Sequence, residues 1–302
     1  ERERERERES RRGSIEDTRA RERRACARRA MAEASEDVLR RLSEHQSFVL
    51  GTVTGSVEQG LSQPLLYWKN SFQQGLPFTL NPKVLYRGTF ASVSNTAAMC
   101  GFQFFSAGVF QKIIAGSADA KMTFSQEVAA AFLGGASSGP LCCTLELTMI
   151  QQQNFGGSFY GTVARILKTH GPGGMMRGVV CSTGREAVFT AGYLGIVPAM
   201  NKYSQEQFGK DSYMGNVVGG VGGGLACAAL SQPLDTAKTC MQGDLERRKY
   251  QGTLQTLRTL HTEYGSVAAI YRGYWWRAFY VMESFFVFDF LKQRIAPILY
   301  PC

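Results

Sequence analysis

A pattern that returns three times at fixed offsets constrains this chain more than any other feature of it. The third copy reads Gly220-x3-Gly224-x8-Pro233-x-Asp235-x2-Lys238-x3-Gln242. The first reads Gly51-x3-Gly55-x8-Pro64-x-Leu66-x2-Lys69-x3-Gln73, and the second Ala131-x3-Gly135-x8-Thr144-x-Glu146-x2-Met149-x3-Gln153. All three align without a gap, and each is followed by a second marker: Tyr86-Arg87-Gly88, Met176-Arg177-Gly178 and Tyr271-Arg272-Gly273. A repeat of this kind has to be recognised before any fold is assigned. Each marker opens a further apolar segment, so three units of two segments make six helices and an all-α fold.

The mean hydropathy of −0.16 at first argues against membrane burial. It is lowered by residues 1–45, which hold 14 Arg and 12 acids. Beyond them, the charge-free runs 88–111, 128–145 and 212–234 reach or approach the ~20 residues of a spanning helix. Gly, Ser, Thr and Gln are scattered through these runs, which suits helices that line a polar cavity on one face and touch lipid on the other.

The opening "ERERERERE" reads as a solvated charged extension. It is also what a GA dinucleotide repeat encodes, and Met31 is the expected start, with residues 1–30 untranslated. No secretory signal is expected. The eight cysteines contain no C-x-x-C pair and most lie in apolar segments, where a free Cys is a small buried hydrophobe. The three His stand near no Cys or acid cluster, so no metal site is expected. No nucleophile triad or phosphate loop is present, and "GGVGGG" at 219–224 lies inside an apolar run rather than after a strand. Neither an enzyme nor a nucleic-acid partner is therefore expected.

A proline inside a helix removes a backbone hydrogen bond and bends it, so Pro64 and Pro233 are read as kinks. An acid and a base at i and i+3 below the kink share a face and reach neighbouring helices. At that depth they are costly unless paired. In the segment after the second marker, the adjacent Arg185 and Glu186 inside an apolar run form a functional-site hypothesis in their own right. The alternative is that Glu186 pairs structurally with a neighbouring helix.

Over residues 46–295 or so, the triplet resembles the mitochondrial carrier family, whose hallmark is a threefold Pro-x-acid-x-x-base at the ends of the odd-numbered helices. The resemblance implies an all-α membrane protein of six transmembrane helices in three pseudosymmetric two-helix repeats, over 46–116, 125–203 and 212–296, after the charged extension 1–45. Short amphipathic matrix helices are implied at 160–171 and 250–265, with Leu254, Leu257 and Leu260 on one face of the latter; the first repeat lacks one.

The family's matrix gate pairs the base of one repeat with the acid of the preceding one, which carries over as Lys238 with Glu146 and Lys69 with Asp235. The third pair becomes Leu66 with Met149, so the two departures fall on partners and strand no charge. Gln73, Gln153 and Gln242 stand where the family places braces beneath the ion pairs. The opposite gate is weak, its nearest acid being Asp289 followed by Lys292, which implies a bias towards the cytosol-open state. The family's substrate contact points carry over to Asn95, Arg185 with Glu186, and Tyr280. An Arg-acid pair at the second point is typical of amino-acid carriers, while Tyr280 departs from the Arg common at the third. Helix N-termini are anion sites, and the resemblance implies bound cardiolipin at Arg87, Gly88, Gly161, Arg177, Gly178, Gly252, Arg272 and Gly273. The implied function is transport of a small solute, an amino acid or carboxylate, across the inner mitochondrial membrane by a monomer; other organelles share the pattern. The alternative is a carrier-derived scaffold or subunit that no longer transports.

Overall fold

The computed structural model of the protein describes residues 43–115, 123–209 and 212–300. Met31 and all but the last three residues of the expected extension 1–45 lie outside the described residues. Among the described residues the regular structure is helical, with no strand. The helices are α1 (Glu44–Leu61), α2 (Gln63–Gln74), α3 (Pro82–Leu85), α4 (Thr89–Ala115), α5 (Phe124–Phe155), α6 (Phe159–Met175), α7 (Val179–Phe208), α8 (Tyr213–Gly243), α9 (Thr253–Tyr264) and α10 (Tyr274–Leu299).

Local chemistry sets the helix ends. Asn81 accepts a hydrogen bond from Lys83 N at 3.1 Å at the start of α3, and Ser158 Oγ accepts from Gly161 N at 3.1 Å at the start of α6. Gln126 Oε1 reaches back to Thr123 N at 2.9 Å where α5 begins. These contacts satisfy N–H groups that have no partner within the helix.

The prolines act less uniformly than the sequence suggests. Ser62 separates α1 from α2, and Pro64 falls in the first turn of α2, where its missing N–H leaves no bond unmade. Pro233 instead lies within the uninterrupted α8. The second copy has Thr144 at the aligned position, yet α5 carries Pro140 one turn earlier.

The described residues divide into two compact units, one of them Gly55–Phe288 and the other made of residues 43–54 with 289–300. In the smaller unit Leu50 and Ala296 are fully buried, with Ile295 and Tyr300 packed on them. Its Asp289 accepts from Gln293 Nε2 at 2.9 Å within the same helix.

In the larger unit α5 packs on α4 and α7, and α7 on α8. Small residues make this close. A Cβ on Gly139 would lie 2.5 Å from Thr183 Cα, and one on Gly223 would lie 2.8 Å from Val197 Cα. Small residues at this spacing let helix backbones approach this closely.

The linking helices hold the lower layer of this unit. Helix α9 buries Leu260 completely against Cys181, Ala237, Cys240, Met241 and Tyr250, with Leu257 partly packed on the cluster. Leu254 corrects the expectation of a three-leucine face: it is 61% exposed, and Thr256 is buried in its stead. Between α2 and α4 the single turn α3 stands in place of a longer linking helix.

The turn after α8 is organised by one carboxylate. Asp244 accepts backbone hydrogen bonds from Arg248 N at 3.1 Å, Lys249 N at 2.8 Å and Tyr250 N at 2.9 Å. Partial burial alone would raise its pKa. The three donors and the nearby Arg177 guanidinium outweigh that and hold it below the ordinary aspartate value.

Two outcomes are expected. Gly139→Ala places its Cβ against the Thr183 backbone and should lower the melting temperature of the detergent-purified protein; an unchanged value would show that α5 and α7 have room to separate. Asp244→Asn should cost about 1 kcal/mol at neutral pH. A depressed folded-state pKa gives a stabilisation that is complete above the unfolded value, ~3.9, and is lost as pH falls through the folded one. The melting difference between parent and variant should therefore narrow below about pH 4, and a pH-independent difference would contradict this.

Candidate functional site: a charged cavity

The ends of α2, α5 and α8 place their ionic side chains at one level. Lys238 Nζ lies 2.7 Å from Glu146 Oε2, and Lys69 Nζ lies 2.9 Å from Asp235 Oδ2. Asp235 is fully buried and Lys238 nearly so, so neither charge has water to fall back on. Asp235 is the hub: Lys238 stands 3.4 Å from its Oδ1 and Arg277 3.8 Å from its Oδ2. Gln73 Nε2 donates to Asp235 Oδ2 at 2.9 Å.

Arg185, on the facing side of α7, joins these pairs into one network. Its guanidinium contacts Glu146 at 3.1 Å, Asp235 at 3.8 Å and its neighbour Glu186. Arg277, on α10, donates to Ser231 Oγ at 2.8 Å and Gln232 Oε1 at 3.2 Å. Above them opens a cavity of about 450 Å³, lined by Asn95, Arg185, Glu186 and Tyr280 together with Glu58, Gln59, Lys69, Glu146 and Arg277. The four residues singled out as contact points thus face one space. Asn95 Nδ2 donates to Cys142 Sγ at 3.9 Å, and the Tyr280 hydroxyl to Gln59 Oε1 at 2.8 Å.

The seam that carries no ion pair is apolar. Leu66 packs against a buried cluster of Ala91, Met149 and Ile150. The glutamines correct the expectation of three equivalent braces, since only Gln73 touches an ion pair. Gln153 Oε1 accepts from Asn70 Nδ2 at 2.9 Å. Gln242 Nε2 reaches Cys143 O and Arg177 O, each at 3.2 Å.

The markers form a threefold set that the sequence did not suggest. The residue before each proline-aligned position donates to the carbonyl of its own marker arginine: Gln63 Nε2 to Arg87 O at 3.0 Å, Cys143 Sγ to Arg177 O at 3.3 Å, and Gln232 Nε2 to Arg272 O at 3.0 Å. The marker glycines Gly88, Gly178 and Gly273 have φ of 82°, 80° and 75°, a left-handed conformation that favours glycine.

Two of the anion-site expectations are corrected by the contacts. Arg177 is buried, and its guanidinium donates to the backbone carbonyls of Met241, Tyr250 and Gln251, so its donors serve the protein rather than a phosphate. The Gly161 amide is occupied by Ser158. Arg87 is exposed at a surface pocket of about 490 Å³ with Lys83, Tyr86, Gly88 and Ser158. Gly252 precedes α9 without a side-chain cap. The Arg272 guanidinium sits 5.8 Å from the Phe72 ring centre.

Sequence reasoning missed Arg277, Glu58 and Gln59. An Arg within the apolar run after the third marker was a signal for the first. Glu58 and Gln59 fall between the small residues and the proline of the first copy, where the other copies have Ser138-Gly139 and Cys227-Ala228 at the aligned positions.

Helices spanning Phe124–Phe155 and Met214–Gly243 are long and apolar enough to cross a membrane, and both carry members of the buried ionic network. The class these features define is an all-α protein built round a charged cavity. Residues 209–297 match the family model described as "Mitochondrial carrier protein", and the resemblance read from the repeated motif is borne out. The chain is 24% identical to the tricarboxylate transporter FUM11 of Gibberella moniliformis over 243 residues, 74% of this chain and 79% of that protein. It is 24% identical to a probable mitochondrial 2-oxodicarboxylate carrier of Dictyostelium discoideum over 200 residues, 63% of this chain and 65% of that one. With mitochondrial 2-oxodicarboxylate carrier 2 of Saccharomyces cerevisiae it shares 23% identity over 199 residues, 63% and 64% of the two chains. In the last two, the match spans somewhat less than two thirds of the relative.

The buried pairs set an expectation for stability. Removing one partner of a buried ion pair costs about 3–5 kcal/mol, because the other charge is left unpaired. Lys238→Met and Glu146→Gln should each destabilise strongly, and the double variant should lose less than the sum by about 1 kcal/mol or more. Additive losses in a thermal-melt cycle would show that the two side chains do not act as a pair.

Proposed function

We propose that the chain is a divergent mitochondrial carrier: a multi-pass protein of the inner mitochondrial membrane, with six spanning helices in three repeats, that moves a small carboxylate-bearing solute by alternating access. The observation that carries this is a cluster of bases, Arg185 and Arg277 among them, at the floor of the cavity. Lys69, Arg185, Lys238 and Arg277 stand against Glu146, Glu186 and Asp235 at the floor, and Glu58 on the cavity wall brings the acids to four. Arg185 lines the cavity, and a guanidinium forks well onto a carboxylate. The names of the relatives, a tricarboxylate transporter and 2-oxodicarboxylate carriers, point the same way.

In this reading Lys238 with Glu146 and Lys69 with Asp235 form the matrix gate, Gln73 braces it, and Leu66 with Met149 closes the remaining seam without charge. Asn95, Arg185, Glu186 and Tyr280 contact the solute. Arg185 bridges Glu146 and Asp235, so a solute carboxylate that draws it away weakens the network holding the gate. Glu186 receives an ammonium when the solute is an amino acid. A lipid phosphate, as of cardiolipin, fits the exposed pocket of Arg87 and Gly88 at the start of α4, and Gly252, Arg272 and Gly273 offer equivalent positions. The scaffold reading predicts a cavity that binds nothing.

Labelled 2-oxoglutarate, citrate and glutamate should be tested for uptake into proteoliposomes loaded with the same solute, alongside thermal shifts of the purified protein. A bound ligand raises apparent stability. At least one solute should be taken up and should stabilise the parent, with uptake by Arg185→Ala at least ~10-fold lower, the equivalent of about 1.4 kcal/mol of binding. Neither uptake nor a shift in a folded sample would favour the scaffold.

A further inference from the structure

Among the described residues no ion pair crosses the seam between the first and second copies, yet hydrogen bonds cross it just beyond Leu66 and Met149. Asn70 of α2 and Gln153 of α5, both buried, meet at 2.9 Å between Nδ2 and Oε1. Asn154 Nδ2, next on α5, donates to Gln74 Oε1 at 2.7 Å, one turn on along α2. The orientation of the Gln74 amide is settled by its own helix. Its Nε2 donates to the Asn70 carbonyl at 3.1 Å, and a carbonyl can only accept, which leaves Oε1 for Asn154.

Gln74 and Asn154 occupy equivalent places in the repeat. Each follows directly on the glutamine of its copy, Gln73 and Gln153, and the third copy has Gly243 after Gln242. The three places converge. A Cβ on Gly243 would stand 2.9 Å from Gln74 Cδ and nearer still to Gln74 Oε1, so the end of α8 lies against the amide that α5 already holds. Two complementary amides fill the meeting point, and a third side chain would displace one of them. None of the three residues is charged, in contrast to the level of Lys69, Glu146, Asp235 and Lys238.

The open spaces on either side show what these amides separate. The charged cavity reaches along α2 and α5 as far as Lys69 and Met149. A different pocket, of about 560 Å³, begins at Gln151, Phe155 and Gly243. Asn70, Gln74, Gln153 and Asn154 line neither and stand in the layer between. Parting α2 from α5 at this layer leaves both amide pairs without partners until water reaches them, and a buried polar group without a partner is costly.

We propose that Gln74 and Asn154, backed by Asn70 and Gln153, form an uncharged lock that closes the exit below the ionic gate, and that Gly243 is the vacant third place that lets them pair. The inference rests on the transporter reading and adds gating residues to it. The lock holds the seam that has no ion pair, so the exit opens only when these amide bonds part as well as the ionic ones. A charged solute that has drawn Arg185 out of the network then passes a layer with no fixed charge to hold it.

Gln74→Cys and Asn154→Cys are introduced together and bridged in proteoliposomes with a short bifunctional thiosulfonate, and uptake of labelled 2-oxoglutarate, citrate and glutamate is followed. The bridge should form in the double variant and in neither single one. It should cut uptake at least ~10-fold against the unbridged double variant, the equivalent of 1.4 kcal/mol, and a reducing agent should restore it. Failure of the bridge to form would overturn the contact, and a bridged protein that transports at the unbridged rate would overturn the gating role. A second measurement weakens the lock instead of fixing it. Asn154→Leu removes the donor, and Gly243→Ala displaces the end of the flexible Gln74 side chain. Each should raise uptake into solute-free liposomes relative to solute-loaded ones by about fivefold, the weight of one net hydrogen bond. The two together should do no more than either alone. An unchanged ratio, or effects that multiply, would overturn the lock. A bridge that forms in a protein that takes up none of the three solutes would instead count against the transporter reading, and the gating role would fall with it.

Discussion

Asp235 has no exposed surface and four bases within 4 Å, and much of the larger unit is arranged to keep that acid company. An unpaired carboxylate there would be among the most costly groups in the molecule. Its partners come from four helices: Lys69 from α2, Arg185 from α7, Lys238 from α8 and Arg277 from α10. Glu146 of α5 shares two of them. The level at which these helix ends meet is therefore dictated by electrostatics, while the apolar residues around it decide only how tightly the meeting is sealed.

Contacts within each copy of the motif tie its two helices together. The hydrogen bonds from Gln63, Cys143 and Gln232 to the marker carbonyls tie the end of one helix to the start of the next within the same copy. The left-handed glycine after each marker arginine lets the chain reverse there. Charge joins two of the seams between copies, and at the third Leu66 packs on an apolar cluster that includes Met149 and strands no charge.

How much of this was legible follows from what kind of signal each residue leaves. Lys238 with Glu146 and Lys69 with Asp235 could be read because they sit at fixed offsets in a repeated motif, and repetition makes even two departures informative. The same alignment placed Asn95, Arg185, Glu186 and Tyr280 at one height. Gln153 and Gln242 share the offset of Gln73 but not its partner, since side-chain amides take whichever carbonyl or donor is in reach, and the neighbouring helices offer different ones. Arg177 was read as a lipid contact because the loop over 244–250, folded by the Asp244 carboxylate, brings carbonyls to it that no local pattern announces. Glu58 and Gln59 belong to one copy alone and left no periodic trace. Leu254 fits a three-residue period but lies in the first turn of α9, too early to reach the layer that buries Leu260.

The glycine contacts carry a consequence for how such a protein can move. At Gly139 against Thr183 and at Gly223 against Val197, the helices approach so closely that both the backbone and the side chain of the neighbour lie where a Cβ would stand. Packed surfaces of that kind shift between discrete arrangements rather than deforming smoothly. Helices α5, α7 and α8 are thus a nearly inextensible block. Elsewhere long side chains bridge the gap, as Gln59 does to Thr96 and Tyr280, so the contacts made by the segment from Gly55 to Gln74 have rotamer freedom that those of the block lack.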